Sequence, residues 1–164
     1  MQKRTKQMRS ENVVIQTPFT TMRLVFESDV LMSVDFFTQE KLSSPVSLAA
    51  KKACQQIDAY CSKQLANLKF NIELQAEGTP FQQTVWRALQ QIPAGQVMTY
   101  GQLAQQLNTS ARAVGNACRA NPIPLVIPCH RVVSKSSLGG FSGSRDGAPV
   151  EIKAWLLEHE GVSI

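Results

Sequence analysis

The feature that most constrains this chain is the segment 121–131, in which an Asn-Pro turn leads into a short apolar run that ends on Cys129 and His130. A run of four or five apolar residues bounded by prolines is typical of a short buried strand or extended segment. Such a segment holds Cys129 on rigid backbone with little water around it. A thiol becomes a useful nucleophile when a base or positive charge favours the thiolate, and His130 and Arg131 follow it directly. Adjacent side chains usually point apart, so we expect His130 to reach the sulfur through a water molecule.

The first half of the chain has the pattern of a small sheet covered by one helix. Apolar residues recur at spacings of three and four between Ala50 and Leu65, which predicts a helix over residues 47–68. β-branched and aromatic runs joined by turn-like segments predict antiparallel strands. The predicted strands are residues 13–17, 22–26, 30–37 and 70–74. This half contains no chemical motif, and we predict that it acts as a scaffold.

The second half begins after a linker at residues 75–78. Thr79, Pro80 and Gln82 form the signature of a capping box with proline in the first turn of a helix. The same start recurs at Thr99 for a short helix. A further helix over residues 111–120 follows a brief turn, and helix, short turn, helix is the arrangement of a helix-turn-helix. A glycine-rich loop over 134–143 and a last helix over 149–160 complete this half.

These patterns predict an α+β fold with two domains. The small N-terminal domain of sheet and helix covers residues 1–76, and its residues 1–10 form a basic, flexible tail. The C-terminal domain covers residues 77–164, is mainly helical and contains a winged helix-turn-helix.

The helix over residues 111–120 has two different faces. At about 100° per residue, Arg112, Gly115 and Arg119 fall on one side and Val114 falls on the other. Glycine in a helix interior costs about 1 kcal/mol relative to alanine, so Gly115 needs another reason to be there. A small, basic surface suits close approach to phosphates or to a minor groove.

Composition limits the classes of function. The net charge is +5, but Lys3, Arg4, Lys6 and Arg9 supply much of it, so charge alone does not indicate a nucleic-acid partner. We see no secretory signal and no apolar run long enough to cross a bilayer, which predicts a cytoplasmic protein without a membrane partner. None of the four cysteines forms a C-x-x-C pair, so we expect neither a disulfide framework nor a metal site.

The string Pro-Cys-His-Arg-Val, preceded by Asn-Pro-x-Pro and an aliphatic run, resembles the active-site signature of the 6-O-alkylguanine-DNA alkyltransferases. These repair proteins move an alkyl group from guanine onto their own cysteine. The resemblance extends in separate blocks from about Thr79 to Gly161, and the first 76 residues match only in general layout. It implies a stoichiometric reaction in which the damaged base is flipped out of the duplex.

The resemblance also implies a role for each catalytic residue. Cys129 corresponds to the alkyl acceptor, His130 to the water-linked base and Glu160 to the carboxylate that orients the histidine. Asn121 corresponds to the hinge residue that ties the helix-turn-helix to the active site.

Further residues correspond to DNA and base contacts in the family. Arg112 enters the stack where the guanine leaves, and Tyr100 crowds the phosphate and contacts the purine edge. Pro124 packs on the alkyl group, whereas Ser142 and the main chain of Val132 hold the flipped base. The remaining residues assigned to the DNA and base-binding surface are Gly115, Arg119, Lys135 and Phe141. At Phe141 many relatives have tyrosine, so one pocket hydroxyl is missing here.

The resemblance implies no metal or organic cofactor, duplex DNA containing 6-O-alkylguanine as partner, and a monomer. Two other classes of function remain open from the residues alone. One is a non-catalytic module that binds alkylated DNA or regulates, in which Cys129 only packs. The other is a cysteine hydrolase or thiol sensor, for which Cys118 is the one nearby second thiol.

Overall fold

The computed structural model describes residues 9–141, 144 and 147–164. The chain begins with an antiparallel sheet of three strands, β1 (Ser10–Gln16), β2 (Thr21–Glu27) and β3 (Val30–Phe36), in that order. The central strand buries Met22, Leu24 and Phe26, so every second side chain points into the core. Of the predicted tail, residues 1–8 lie outside the described residues, whereas Ser10 already begins β1 and the carbonyl of Arg9 accepts a hydrogen bond from the Ser28 amide at 2.7 Å.

The helix that covers the sheet, α1 (Leu48–Cys61), is shorter than the predicted 47–68. Ser47 caps its first turn by accepting a hydrogen bond from the Ala50 amide. The chain then leaves the helix, because Lys63 and Asn67 adopt positive φ angles of 60° and 54° that a helix cannot contain. Only a 3-10 turn, Ala66–Leu68, follows.

The predicted strand over residues 70–74 is wrong. Within the described part of the chain, its only ladder contact is a single bridge between Leu31 and Leu74. The cause is a side chain of α1, since Gln56 donates to the Asn71 carbonyl at 2.8 Å and accepts from the Asn71 amide at 2.7 Å. These bonds occupy the main-chain groups that a strand would use for pairing.

The C-terminal half is mainly helical, as predicted. Its helices are α2 (Pro80–Leu89), α3 (Tyr100–Gln106), α4 (Ala111–Arg119) and α5 (Ala148–His159). Both predicted capping boxes are present, at Thr79 with Gln82 and at Thr99 with Gln102. Helix α4 packs on α3 and on α2, and the Trp86 indole nitrogen donates to the Ala117 carbonyl at 2.8 Å. The helix-turn-helix pair is therefore fixed to the first helix of this half.

Short elements carry the chain between these helices. A two-residue strand, β4 (Met98–Thr99), pairs in parallel with β5 (Val132–Val133), and a 3-10 turn, Cys129–Arg131, lies directly before β5. The nucleophile candidate is thus attached to the start of α3 through a sheet pair.

The two halves pack against each other around one apolar core. The Val34 amide of β3 donates to the Pro122 carbonyl at 2.9 Å. Phe19 of the β1–β2 turn packs on Trp155 of α5, with ring centroids 4.9 Å apart. The sheet therefore contacts the segment that leads to Cys129 as well as the last helix. None of the helices in the described ranges has the length and apolar content that a bilayer crossing requires.

Candidate active site

The segment before Cys129 is a pair of turns organised by Asn121, and the prediction of a short strand or extended segment there is wrong. The side-chain nitrogen Nδ2 of Asn121 donates to the Ile127 carbonyl at 2.8 Å, while its side-chain oxygen Oδ1 accepts from the Ile123 main-chain amide at 3.0 Å. Leu125 lies at the tip with a φ of 74°, and the Ile127 amide closes the turn on the Ile123 carbonyl at 2.9 Å. One side chain thus satisfies main-chain groups that are buried and have no ladder to join.

Cys129 follows these turns and is 7% exposed. Burial raises the pKa of its thiol, while a hydrogen bond with the Asn121 side chain and the positive charge of Lys153 act in the opposite direction. The resting thiol is therefore protonated at neutral pH. Among the described residues no hydrogen bond joins His130 to this sulfur. The residue that follows Cys129 in the sequence is therefore not a direct hydrogen-bond partner of its thiol.

His130, the residue after the cysteine, forms a buried pair with Glu160. Nε2 of His130 lies 2.8 Å from Oε1 of Glu160, and both side chains are 0% exposed. Nδ1 of His130 has no hydrogen-bond partner among the described residues. Glu160, at the end of α5, is thus not the solvated charge that its position at a helix terminus would suggest, and the structure brings together these two predicted catalytic residues.

Arg131 completes this buried cluster. Its guanidinium donates to both carboxylate oxygens of Glu160, at 3.0 Å to Oε2 and 2.8 Å to Oε1, and to the Ile92 carbonyl. Although burial alone raises the pKa of Glu160, its hydrogen bonds and charge interactions with His130 and Arg131 lower it to about 2. Glu160 is therefore an anion throughout the physiological range, held in a fixed orientation by a bidentate pair.

Lys153 is a buried cation that the sequence patterns did not identify. Its ammonium donates to the Val132 carbonyl at 2.6 Å and to the Gly140 carbonyl at 3.1 Å, and it lies 5.7 Å from the centroid of the Tyr100 ring. Burial lowers its pKa to about 8, while the nearby Cys129 and Cys118 thiols oppose this shift. A lysine between apolar positions of α5, at Ile152 and Leu156, was the one available sequence signal.

An open cleft of about 930 Å³ lies between α4, the start of α3 and the loop after β5. Four of the predicted DNA and base-binding residues line it: Tyr100, Arg112, Gly115 and Lys135. Burial raises the pKa of Tyr100 to about 12, with contributions from the thiols of Cys118 and Cys129. Tyr100 therefore links the cleft to the sulfur, and its hydroxyl stays protonated at neutral pH.

The other predicted contacts that the structure describes are not among the residues that line this cleft. Arg119 is exposed in the last turn of α4, whereas Pro124, Val132 and Phe141 are buried. The Val132 carbonyl already accepts a hydrogen bond from Lys153, so a base would share this carbonyl with the lysine. Ser142 lies outside the described residues.

The faces of α4 divide as the helical angle predicts. Arg112 and Arg119 are exposed and Val114 is buried. A Cβ added to Gly115 would meet no atom within 4 Å. The main chain of α4 is thus open to an external partner at this residue.

The comparisons with known proteins agree with this geometry. Residues 80–162 match the family described as 6-O-methylguanine DNA methyltransferase, DNA binding domain. The methylated-DNA–protein-cysteine methyltransferase of Salmonella typhimurium strain LT2 is 54% identical over 93 residues, which are 55% of this chain and 52% of the relative. The chain thus spans about half the length of this relative. The protein of the same name from Methanosarcina acetivorans is 34% identical over 156 residues, which are 90% of this chain and 96% of the relative.

Solved structures extend the similarity to the whole fold. The O6-methylguanine methyltransferase of Mycobacterium tuberculosis has a TM-score of 0.79 and 34% identity, with 93% of each chain covered. The protein of that organism has also been solved in complex with DNA, with a TM-score of 0.77, 35% identity and 91% coverage of each chain. By the family match and by the Methanosarcina relative, which aligns with nine tenths of this chain, the chain belongs to the 6-O-methylguanine DNA methyltransferase family.

Proposed function

We propose that this protein repairs duplex DNA by moving a methyl or larger alkyl group from oxygen 6 of guanine to the sulfur of Cys129. The observation that supports this most directly is that Cys129 directly precedes His130 of the buried His130–Glu160 pair and lies near Tyr100, which lines the cleft together with Arg112. A nucleophile, a base and an orienting carboxylate are the parts that covalent catalysis by a thiol needs.

The chemistry uses the proton that the resting thiol carries. His130 takes that proton on Nδ1 through a bridging water, and the thiolate attacks the alkyl carbon. A sulfur–carbon bond forms as the bond between that carbon and oxygen 6 breaks, and the electron pair passes to the purine. Proton uptake by the purine then gives guanine, so one thiol proton and one alkyl group have exchanged places. Because a thioether does not revert, each molecule reacts once.

DNA binding is assigned to the exposed face of α4. Arg112 and Arg119 are within reach of phosphates, and Gly115 lets the helix approach a minor groove closely. Because the sulfur is buried, a base inside the duplex cannot reach it, so the guanine must be flipped out at a cost of a few kcal/mol. Arg112 fills the place in the stack that the guanine leaves. The structure of the Mycobacterium relative with DNA is the comparison that supports this partner.

The flipped base is assigned to the pocket beside Tyr100. Tyr100 donates from its protonated hydroxyl to the purine edge, while the Val132 main chain and Ser142 hydrogen-bond the base. Pro124 packs on the alkyl group, and Phe141, which is buried, follows Gly140 of the cleft lining. Lys135, on the exposed rim, provides a further positive charge for the DNA backbone.

The proposal includes the molecular organisation predicted from the sequence. The chain acts as a monomer, and residues 77–164 form the unit for DNA binding and transfer on a supporting unit of residues 1–76. The transfer needs no metal or organic cofactor, so EDTA should leave its rate unchanged.

Mass spectrometry after mixing with an oligonucleotide that carries one 6-O-methylguanine tests the proposal. We expect one added methyl group on the peptide containing Cys129, formed in a stoichiometric burst, and no product with Cys129→Ser. Steady multiple turnover contradicts self-alkylation. Binding of methylated DNA without label on the protein indicates the non-catalytic binding module.

The thiol-sensor class is disfavoured by the thiols themselves. Burial raises the pKa of Cys129, and it raises the pKa of Cys118 to about 12, whereas redox-sensing cysteines have low pKa values and are accessible. A bridge between residues 118 and 129 after hydrogen peroxide treatment would instead support that class.

A further inference from the structure

A hydrogen bond joins the N-terminal half to the His130–Glu160 pair of the proposed active site. The Tyr60 hydroxyl, in the last turn of α1, donates to Oε1 of Glu160 at 2.8 Å, and the phenol is fully buried. We propose that Tyr60 is a positioning residue of the transfer site, whose hydroxyl holds Oε1 of Glu160 against Nε2 of His130. This inference rests on the proposed function.

Tyr60 is itself held firmly enough for such a role. Its ring stacks on Phe70 with centroids 5.2 Å apart and packs against His159 at 5.0 Å. His159 also donates from Nε2 to the Tyr60 carbonyl at 2.7 Å. The phenol can only donate to a carboxylate, and burial raises its pKa further above its usual range. The hydroxyl is therefore a fixed, permanently protonated donor.

Arg131 alone does not account for the orientation of Glu160. Among the described residues, Oε1 accepts hydrogen bonds from Tyr60, His130 and Arg131, whereas Oε2 accepts one only from Arg131. The bidentate Arg131 pair is the stronger attachment, and without Tyr60 only the His130 hydrogen bond, among those that the described residues make to Glu160, opposes rotation of the carboxylate toward the guanidinium. Such rotation lengthens the hydrogen bond between Oε1 of Glu160 and Nε2 of His130. The carboxylate then stabilises the protonated imidazole less.

The origin of these groups gives the N-terminal half a part in the chemistry. His130, Arg131 and Glu160 all come from the C-terminal half, and Tyr60 is the donor supplied by the sheet-and-helix half. In the described part of the chain, the charged and titratable groups that face the pair are Tyr60 from α1, Arg131 from the 3-10 turn and Lys153 from α5. Tyr60 is the one of these that can be altered without changing a charge.

Tyr60→Phe in the full-length protein tests the role. The pH dependence of Cys129 alkylation by iodoacetamide reports thiolate formation without requiring DNA. We expect the rising limb of that profile to move to higher pH by about half to one pH unit, and the rate at pH 7 to fall about three- to tenfold. If the hydroxyl only tempered the charge of Glu160, its removal would strengthen the attraction for His130 and move the limb to lower pH. A rising limb that moves to lower pH or stays at the same pH overturns the proposal.

Two further variants separate positioning from loss of structure. Thr17→Val removes another buried hydroxyl hydrogen bond of the N-terminal half, 2.7 Å from Thr17 to the Thr20 carbonyl, and should lower thermal stability without moving the profile. If Tyr60 acts through Glu160, Tyr60→Phe should have no further effect on the profile in a Glu160→Gln background. An equal shift in both backgrounds contradicts the proposal.

A last pair of measurements covers the remaining outcomes. If Tyr60→Phe does not fold, Phe70→Leu loosens the stacked ring while keeping the hydroxyl, and it should shift the profile partly in the same direction; no shift overturns the proposal. With methylated DNA, Tyr60→Phe should slow transfer at saturation and leave DNA affinity unchanged. Absence of methyl transfer by the unaltered protein defeats the proposed function, whereas the iodoacetamide profile still decides the role of Tyr60.

Discussion

Nε2 of His130 lies 2.8 Å from Oε1 of Glu160, and neither side chain is exposed to solvent. An ionised carboxylate can only accept, so Nε2 must carry the proton in this contact. Burial lowers the pKa of His130, despite the opposing effect of Glu160, and the imidazole is therefore neutral. Its Nδ1 is then unprotonated, which makes Nδ1 the atom that can take the proton of Cys129.

Glu160→Gln should slow alkyl transfer about 100-fold, because a neutral amide stabilises the protonated imidazole poorly. The same change leaves the Arg131 guanidinium buried without its counter-charge, which should cost about 3–5 kcal/mol of the free energy of unfolding. Single-turnover transfer and urea unfolding measure the two effects. As a control, Glu158→Gln removes an exposed carboxylate from the same helix and should change neither. A Glu160→Gln protein with the original transfer rate would falsify the proposal that Glu160 supports His130 as the base.

Acid should destabilise the protein in two steps. The pKa of His130 is lowered in the folded state, so its contribution is present above its ordinary value of 6.5 and is lost as the pH falls below it. The pKa of Glu160 is lowered from 4.5 to about 2. Its contribution of about 3 kcal/mol is therefore present above pH 4.5 and lost as the pH falls toward 2. Thermal unfolding between pH 7 and pH 3 should show both losses, and Glu160→Gln should lack the second. A melting temperature that stays constant over this range contradicts both assignments.

Lys153→Met should lower both the stability of the fold and the reactivity of the Cys129 thiol. The Val132 and Gly140 carbonyls lose a charged donor, at a cost of about 2–3 kcal/mol. The positive charge that opposes the raised pKa of the Cys129 thiol also disappears, so alkylation by iodoacetamide should slow. Thermal unfolding and the alkylation rate at pH 7 measure these effects. Lys135→Met removes an exposed lysine and should leave stability unchanged; equal losses in both variants would show that burial of Lys153 is unimportant.

Local signals in the sequence were sufficient for the helices of the C-terminal half. The capping boxes at Thr79 and Thr99 specify helix starts through residues only three positions apart, and both form as predicted. The two-sided pattern of α4 likewise depends only on helical geometry. The predicted α+β fold is confirmed because the tertiary contacts did not override these short-range signals.

Long-range side-chain contacts account for what the sequence patterns could not provide. Gln56 occupies the main chain of Asn71 and prevents the strand predicted there. Asn121 bends into turns an apolar run whose bounding prolines favoured a short strand or extended segment. The contact of Tyr60 with Glu160 joins residues 100 positions apart, and no periodicity relates them. Each of these depends on one polar side chain meeting a group that becomes its neighbour only in the folded chain.

Gly115→Ala separates the stability of α4 from its proposed contact with DNA. The added Cβ meets no atom within 4 Å in the protein, and alanine in a helix interior is favoured over glycine by about 0.5–1 kcal/mol. We therefore expect the melting temperature to rise. If α4 approaches the minor groove at Gly115, the same methyl group should weaken binding to methylated DNA and slow transfer, while alkylation by iodoacetamide stays unchanged. Arg119→Ala, on the same face, should weaken DNA binding without raising stability and should reduce its salt dependence. A Gly115→Ala protein that is more stable and binds DNA as tightly as before would show that this helix face does not approach the duplex closely.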